Sequence, residues 1–179
     1  MAFFQLPSPS EISPEARQIL DEYKQLTGRE EWTPHWLVFA RLPAVLGVRL
    51  SALKSMSLAP DFPSEAKNIA IMLIAHARRC GACFSASRAN LERLGFDEST
   101  LDGYCANPAV LPLKERDRHF VQYTLKIATG SADLTPKDFR QMEASGLSKH
   151  EIQQMIGFAA FWVFNIVFNQ SATAGLADE

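Results

Sequence analysis

Apolar positions recur at three- and four-residue spacing along almost the whole chain, and proline, glycine and short polar residues divide them into helices. Ser13-Pro14 places a capping hydroxyl before a proline at the first helical position, and Ile19, Leu20, Tyr23 and Leu26 follow on one face until Gly28. Thr33-Pro34 repeats that start for a short helix through Ala40, and Pro43 opens a third with Val45, Leu46, Leu50 and Leu53. Ala59 to Pro63 reads as a turn, after which Ser64 is expected to cap a helix carrying Ile69, Leu73, Ile74 and Ala77. The next helix is predicted over Phe84 to Leu94 with a stop at Gly95. Asp97 then caps a short piece ending near Tyr104, and Asn107-Pro108 starts a loop.

The rest of the chain is patterned in the same way. Lys114 to Thr129 carries Phe120, Val121, Leu125 and Ile127, with Gly130 expected as a left-handed cap. Thr135-Pro136 opens a helix closed by Gly146, and Ser148-Lys149-His150-Glu151 is a capping box that launches an apolar helix to about Gln170. No segment alternates cleanly as a strand does, and no repeat or low-complexity stretch is present, so the predicted class is all-α. The last helix carries Phe158, Phe161, Trp162, Phe164 and Phe168 on more than one face. A helix that is apolar all round is buried all round, either as the central helix of a monomer or under a second subunit. The second is expected, because few small bundles surround a helix completely.

Composition narrows the functional classes. The 179 residues are 47% apolar and 21% charged, a globular balance with enough chain for a substantial core. Eighteen Lys and Arg against twenty Asp and Glu give a net charge of −2, which supplies no positive field for nucleic acid. Three cysteines do not make a secreted disulfide framework. The segment Met1 to Pro7 lacks the features of a signal peptide. The longest apolar run, Met155 to Phe168, is about 14 residues against the roughly 20 that a membrane span needs. The expectation is a cytoplasmic protein with neither a nucleic-acid nor a membrane partner.

One motif carries chemistry, Cys80-Gly81-Ala82-Cys83, placed between two predicted helices. Cysteines three apart on a helical turn bring their sulfurs within disulfide reach, so the pair can cycle between dithiol and disulfide. Free amides at the start of the second helix favour a thiolate, and Arg78 and Arg79 would help if they turn toward the sulfurs. Two inert core cysteines are the bland alternative. A zinc site is a third, drawing on Cys80, Cys83, Cys105 and His76, but no second CxxC supports it.

The run Asn68 to Cys83, continuing through Phe84-Ser85-Ala86-Ser87 and Leu91 to Gly95, resembles the alkylhydroperoxidase D-like (carboxymuconolactone decarboxylase) superfamily. The likeness extends more loosely over residues 37–175, including Gly146-Leu147-Ser148 and Phe164-Asn165. It implies an all-α orthogonal bundle in residues 37–179 preceded by an N-terminal helical extension, residues 1–36, with subunits associating as dimers, trimers or hexamers. It also implies a peroxidase-related activity in which Cys83 attacks a hydroperoxide and Cys80 resolves, renewed by an external thiol reductant of the lipoyl or thioredoxin type, with no bound cofactor.

The superfamily's proton relay uses a glutamate twelve residues before the first cysteine and a histidine four after the second; here those positions are Asn68 and Ser87. Neither exchanges protons readily near neutral pH, and loss of such assistance costs about 10²–10⁴-fold in rate. His76, four residues before Cys80, could substitute if its helix continues through Arg79. His119 and His150 are expected at the surface, His35 packed beside Trp32 and Trp36, and Asn165 and Asn169 as structural amides.

The expected function is thus a thiol-dependent oxidoreductase acting on a small hydroperoxide or disulfide through Cys80 and Cys83, with Asn68, His76 and Ser87 as further candidates. A non-redox decarboxylase-like enzyme, or an oligomeric binding or scaffold protein of the same fold, remains the alternative.

Overall fold

Each polar residue followed by proline that the sequence marks as a start is one. In the computed structural model, which describes residues 2–57 and 61–176, Ser13, Thr33 and Thr135 are the N-caps of helices beginning at Pro14, Pro34 and Pro136. The helices are α1 (Pro14–Thr27), α2 (Pro34–Leu37), α3 (Pro43–Ala52), α4 (Ser64–Ala77), α5 (Gly81–Arg93), α6 (Glu98–Ala106), α7 (Glu115–Gly130), α8 (Pro136–Ala144) and α9 (Lys149–Leu176). No strand occurs among the described residues. Of the expected turn before α4, Ala59 and Pro60 lie outside them.

Several boundaries differ from expectation for identifiable reasons. Pro63, not Ser64, is the N-cap of α4, and Ser64 is its first helical residue. The helix at Pro34 stops at Leu37 and continues only as turns to Ala40. Gly130 closes α7 without a left-handed cap: its φ is −158°, and the Asp133 carboxylate folds back to where a Cβ would stand, 2.8 Å away. Gly28, Gly95 and Gly146 do take the left-handed conformation expected after a helix. The last helix runs to Leu176, past Gln170.

The chain divides into two units. Residues 1–55 and 167–179 form the first, and residues 56–166 the second. In the first, Tyr23 of α1 stacks on Trp36 with ring centroids 3.9 Å apart. Arg49 of α3 is fully buried there, its guanidinium 4.4 Å from the Trp36 ring and 5.3 Å from that of Phe168. It donates to the His35 carbonyl at 2.8 Å and to the side-chain carbonyl of Asn169. Asn169 is therefore a structural amide, as its place in an apolar helix suggests. His35 is half-buried, and burial, then the charges of Arg49 and Arg29, pushes its pKa down.

In the second unit α4 packs chiefly against α5 and α7. Its main core joins Ile69, Met72 and Leu73 of α4 to Leu91, Leu101, Phe120 and Phe158, with Phe62 stacked on Phe120 at 3.9 Å. The α9 capping box is formed: Ser148 N–H donates to Glu151 at 2.8 Å, and Glu151 N–H donates to the Ser148 hydroxyl at 3.2 Å. Arg116 also pairs with Glu151 and reaches the Asp61 carbonyl. His150 is exposed, but His119 is half-buried against Tyr123, because α7 turns that face inward.

At 28 residues, α9 is long and apolar enough, by length and composition, to cross a membrane. The shorter apolar run read from the sequence missed the flanking turns that extend it. Part of it is buried within each unit. Ile152, Met155 and Phe158 sit in the core of the second unit, and Asn169 meets Arg49 in the first. It is not buried all round: Ile156 is 38% exposed and Val167 49%.

Two outcomes are expected from these contacts. Arg49→Ala removes a cation held by two rings together with its hydrogen bonds to His35 and Asn169, so it should cost about 2–4 kcal/mol, read as a lower urea midpoint. Glu151 is held down from 4.5 to about 2, first by the Ser148 backbone and then by Arg116. A lowered carboxyl pKa stabilises the fold above the unfolded value and loses that contribution as pH falls toward 2. Glu151→Gln should flatten thermal stability against pH in that window.

Candidate active site

The two cysteines stand where α4 ends and α5 begins. Helix α4 stops at Ala77, and Arg79 takes a left-handed conformation with φ 56°. Cys80 N–H then reaches back to the Ala75 carbonyl at 2.8 Å, and Arg79 N–H to that of His76 at 3.0 Å. This is the Schellman closure of a helix, with Arg79 where glycine is usual. The Cys80 carbonyl accepts from Phe84 N–H at 2.9 Å, so the same residue is the N-cap of α5. Helix α5 thus begins at Gly81, earlier than the Phe84 start read from the sequence, and Cys83 lies in its first turn.

This register explains the spacing. An N-cap side chain faces the free N–H groups of the second and third helical residues, here Ala82 and Cys83, while the third residue's side chain reaches back toward the cap. Cys80 makes no formal capping hydrogen bond. The Cys83 thiol first, and then the amides of Cys83 and Ala82, nevertheless lower its pKa from 9.0 to about 6 against the opposing effect of burial. Neither cysteine is in a disulfide. Cys80 is 3% exposed and Cys83 5%. They pack with Ile74, Ala75, Ala128, Ala159 and Ile166, and with half-buried Phe84, Trp162 and Val163. Arg79, Gly81 and Ala82 beside them in the chain are exposed.

The other candidates have separate partners. Ser87 is buried and donates to the carbonyls of Cys83 at 2.9 Å and Phe84 at 3.0 Å. Asn68 donates to the Ser64 carbonyl at 2.8 Å and accepts from Asn90 at 3.0 Å, and Arg93 donates to Asn90 in turn. The amide at the relay position is thus tied into a neutral bridge between α4 and α5. His76 is exposed, its ring 5.7 Å from that of Phe84. Because the helix ends at Ala77, the continuous turn that would set His76 over Cys80 is not formed.

Arg78 donates to the Ala128 carbonyl at 3.0 Å, at the end of α7. Neither arginine is among the causes that lower the Cys80 pKa. Cys105 packs in the other core cluster of this unit, and burial pushes its thiol up. Among the described residues, no three His, Cys, Asp or Glu side chains converge as a metal site. An open groove lined by Ile12, Arg17, Asp21 and Gln25 belongs wholly to the first unit and contains neither cysteine.

Sequence reasoning did not find Asn90, Arg93 or the place of Trp162 beside the thiols. Trp162 presents a buried indole N–H without a hydrogen-bond partner. A tryptophan in an apolar helix gives no signal of such a neighbour.

No family model matches the sequence, and no curated protein matches it. Solved structures share its fold. A peroxidase-related protein from Ralstonia eutropha JMP134, described as an alkylhydroperoxidase AhpD core, superposes with a TM-score of 0.78 at 16% identity, covering 99% of this chain and 92% of that one. A peroxidase-related protein from Silicibacter sp. TM1040 does so at 0.76 and 15% identity, with the same coverage. The fold is therefore the alkylhydroperoxidase D-like all-α fold that the sequence resemblance implied.

The left-handed Arg79 carries a testable cost. Arg79→Gly relieves its Cβ crowding and should stabilise the protein by about 0.5–1 kcal/mol in thermal or urea unfolding.

Proposed function

We propose that this protein is a thiol-dependent oxidoreductase whose working group is the Cys80–Cys83 pair, with small disulfides as the better substrates and hydroperoxides as poor ones. The observation that carries this reading is the N-cap register, in which one sulfur faces free amides and the other thiol, and its pKa falls to about 6. At neutral pH such a sulfur is mostly thiolate, the nucleophilic form.

The preference for disulfides follows from the neighbours. A hydroperoxide's departing oxygen needs a proton, whereas a thiolate leaves with little help. Asn68 and Ser87 are bonded to main chain and to Asn90, and no acid replaces them in those bonds. In the overall reaction a disulfide takes two electrons and two protons to become two thiols, while Cys80 and Cys83 become a disulfide. A hydroperoxide would instead give an alcohol and water. An external dithiol reduces the pair again. Free thiols suit a reducing cytoplasm. Self-association is part of this reading, since Ile156 and Val167 leave apolar surface on α9 for a second copy to cover.

The scaffold reading draws support from the low exposure of both sulfurs. Treating the folded protein with hydroxyethyl disulfide, and separately with hydrogen peroxide, distinguishes the two. The expected product loses two hydrogens by mass, with the bridge mapped to Cys80 and Cys83, and forms faster with the disulfide. Two unmodified thiols in the folded protein would establish the scaffold instead.

A further inference from the structure

We propose that Arg79 is a specificity residue and that the substrate of the Cys80–Cys83 pair is a small disulfide carrying negative charge. Arg79 thereby adds a substrate class to the oxidoreductase reading above, on which its role rests.

Two neighbouring arginines differ in what they do for the fold. Arg78 is half-buried and donates to the Ala128 carbonyl, so it ties the end of α4 to the end of α7. Arg79 is exposed, and among the described residues its side chain makes no hydrogen bond, ion pair or ring contact. Yet Arg79 holds the left-handed place in the helix closure, φ 56°, where a side chain is strained and glycine is not. Strain that brings no contact inside the chain points to a task toward a molecule outside it.

Its position gives the task. Arg79 is bonded to Cys80, and with Gly81 and Ala82 it makes up the exposed chain beside the buried pair. Gly81 and Ala82 add at most a methyl group there, so a substrate that comes to the cysteines over this stretch meets the Arg79 charge. Few charges oppose it. From Ala66 to Leu91 the chain has no Asp or Glu, and Glu65 and Glu92 stand at the far ends of α4 and α5. At about 1.5 Å per residue those ends are about 20 Å away, well past the screening length of about 8 Å at physiological salt. Helix α9 carries no charge from Ile152 to Ile166, and the acid after α7, Asp133, turns its carboxylate onto Gly130. Arg88, farther along α5, is paired with Glu92, Glu98 and Asp102. His76, exposed on the last turn of α4, is neutral or positive and so never opposes Arg79.

The reaction itself is unchanged in its balance. The substrate S–S bond breaks and the Cys80–Cys83 bond forms. Two electrons and two protons pass from the two cysteine thiols to the substrate, whose halves leave as thiols that each keep an acid group. Arg79 makes and breaks no bond; it raises the concentration of an anionic disulfide beside the pair.

Three aliphatic disulfides test this on the full-length protein: dithiodipropionate, which is negative, hydroxyethyl disulfide, which is neutral, and cystamine, which is positive. Each is followed by the loss of two hydrogens from the chain, and rates are compared as ratios to the neutral probe, between wild type and variant, which cancels the probes' own reactivities. A unit charge about 6 Å from another in water is worth roughly a threefold factor. Arg79→Gln should therefore lower the anionic-to-neutral ratio about threefold and raise the cationic-to-neutral ratio by a similar factor. Both changes should fade as added salt nears about 0.5 M. Arg79→Lys should keep the wild-type ratios. Arg79→Gly should show the ratios of Arg79→Gln while unfolding later than wild type, which separates charge from any loss of folding.

If all three probes oxidise the pair and the ratios in Arg79→Gln and Arg79→Gly match those of wild type, the anionic class is overturned and the oxidoreductase reading stands. If no probe reacts with folded wild type, both fall.

Discussion

The structure depends on one chain reversal, where α4 ends and α5 begins. Two helix ends meeting there present up to four orphan carbonyls and four orphan amides, which must be satisfied within a few residues. The backbone of Cys80 bonds on both sides of it: its N–H helps close α4, beside the Arg79 N–H on His76, and its carbonyl starts α5. The left-handed Arg79 that makes the reversal possible costs about 1 kcal/mol. Ile69, Met72, Leu73 and Ile74 of α4 are each buried, at roughly 1.5–3 kcal/mol apiece, so burial of that helix outweighs the strain several-fold.

Most of the fold was legible in the sequence because its signals are local. Ser13-Pro14, Thr135-Pro136 and the Ser148 capping box act within one turn, and each stands where it was read. Gly130 was misread because what stands beside it is the Asp133 carboxylate of the following turn, a neighbour that a glycine in the sequence does not announce. Helix α5 was started too late because Gly81 and Ala82 carry no periodic apolar signal; what extends the helix to them is the Schellman closure of α4, which only the folded backbone reveals.

The site was half legible. The CxxC spacing announced the cysteines, but not which of them would be the cap, since that depends on where α5 starts. Asn68 and Ser87 were recognisable as departures from the relay. That Asn68 would bond Asn90 was not, because a contact across two helices has no sequence signature. Arg49 was missed for a related reason. It lies on the face of α3 shared by Leu46, Leu50 and Leu53, yet an arginine normally reads as solvent-facing; the rings of Trp36 and Phe168 and the Asn169 amide change that.

The third cysteine has a consequence for the other two. Cys105 packs in a different cluster, and its burial keeps it protonated at neutral pH, a condition in which sulfur does not enter exchange. On the oxidoreductase reading proposed above, Cys105 is thereby a poor competitor for the Cys80–Cys83 pair. If the pair works as proposed, the chain titrates against a redox buffer as a single two-electron couple with one midpoint potential.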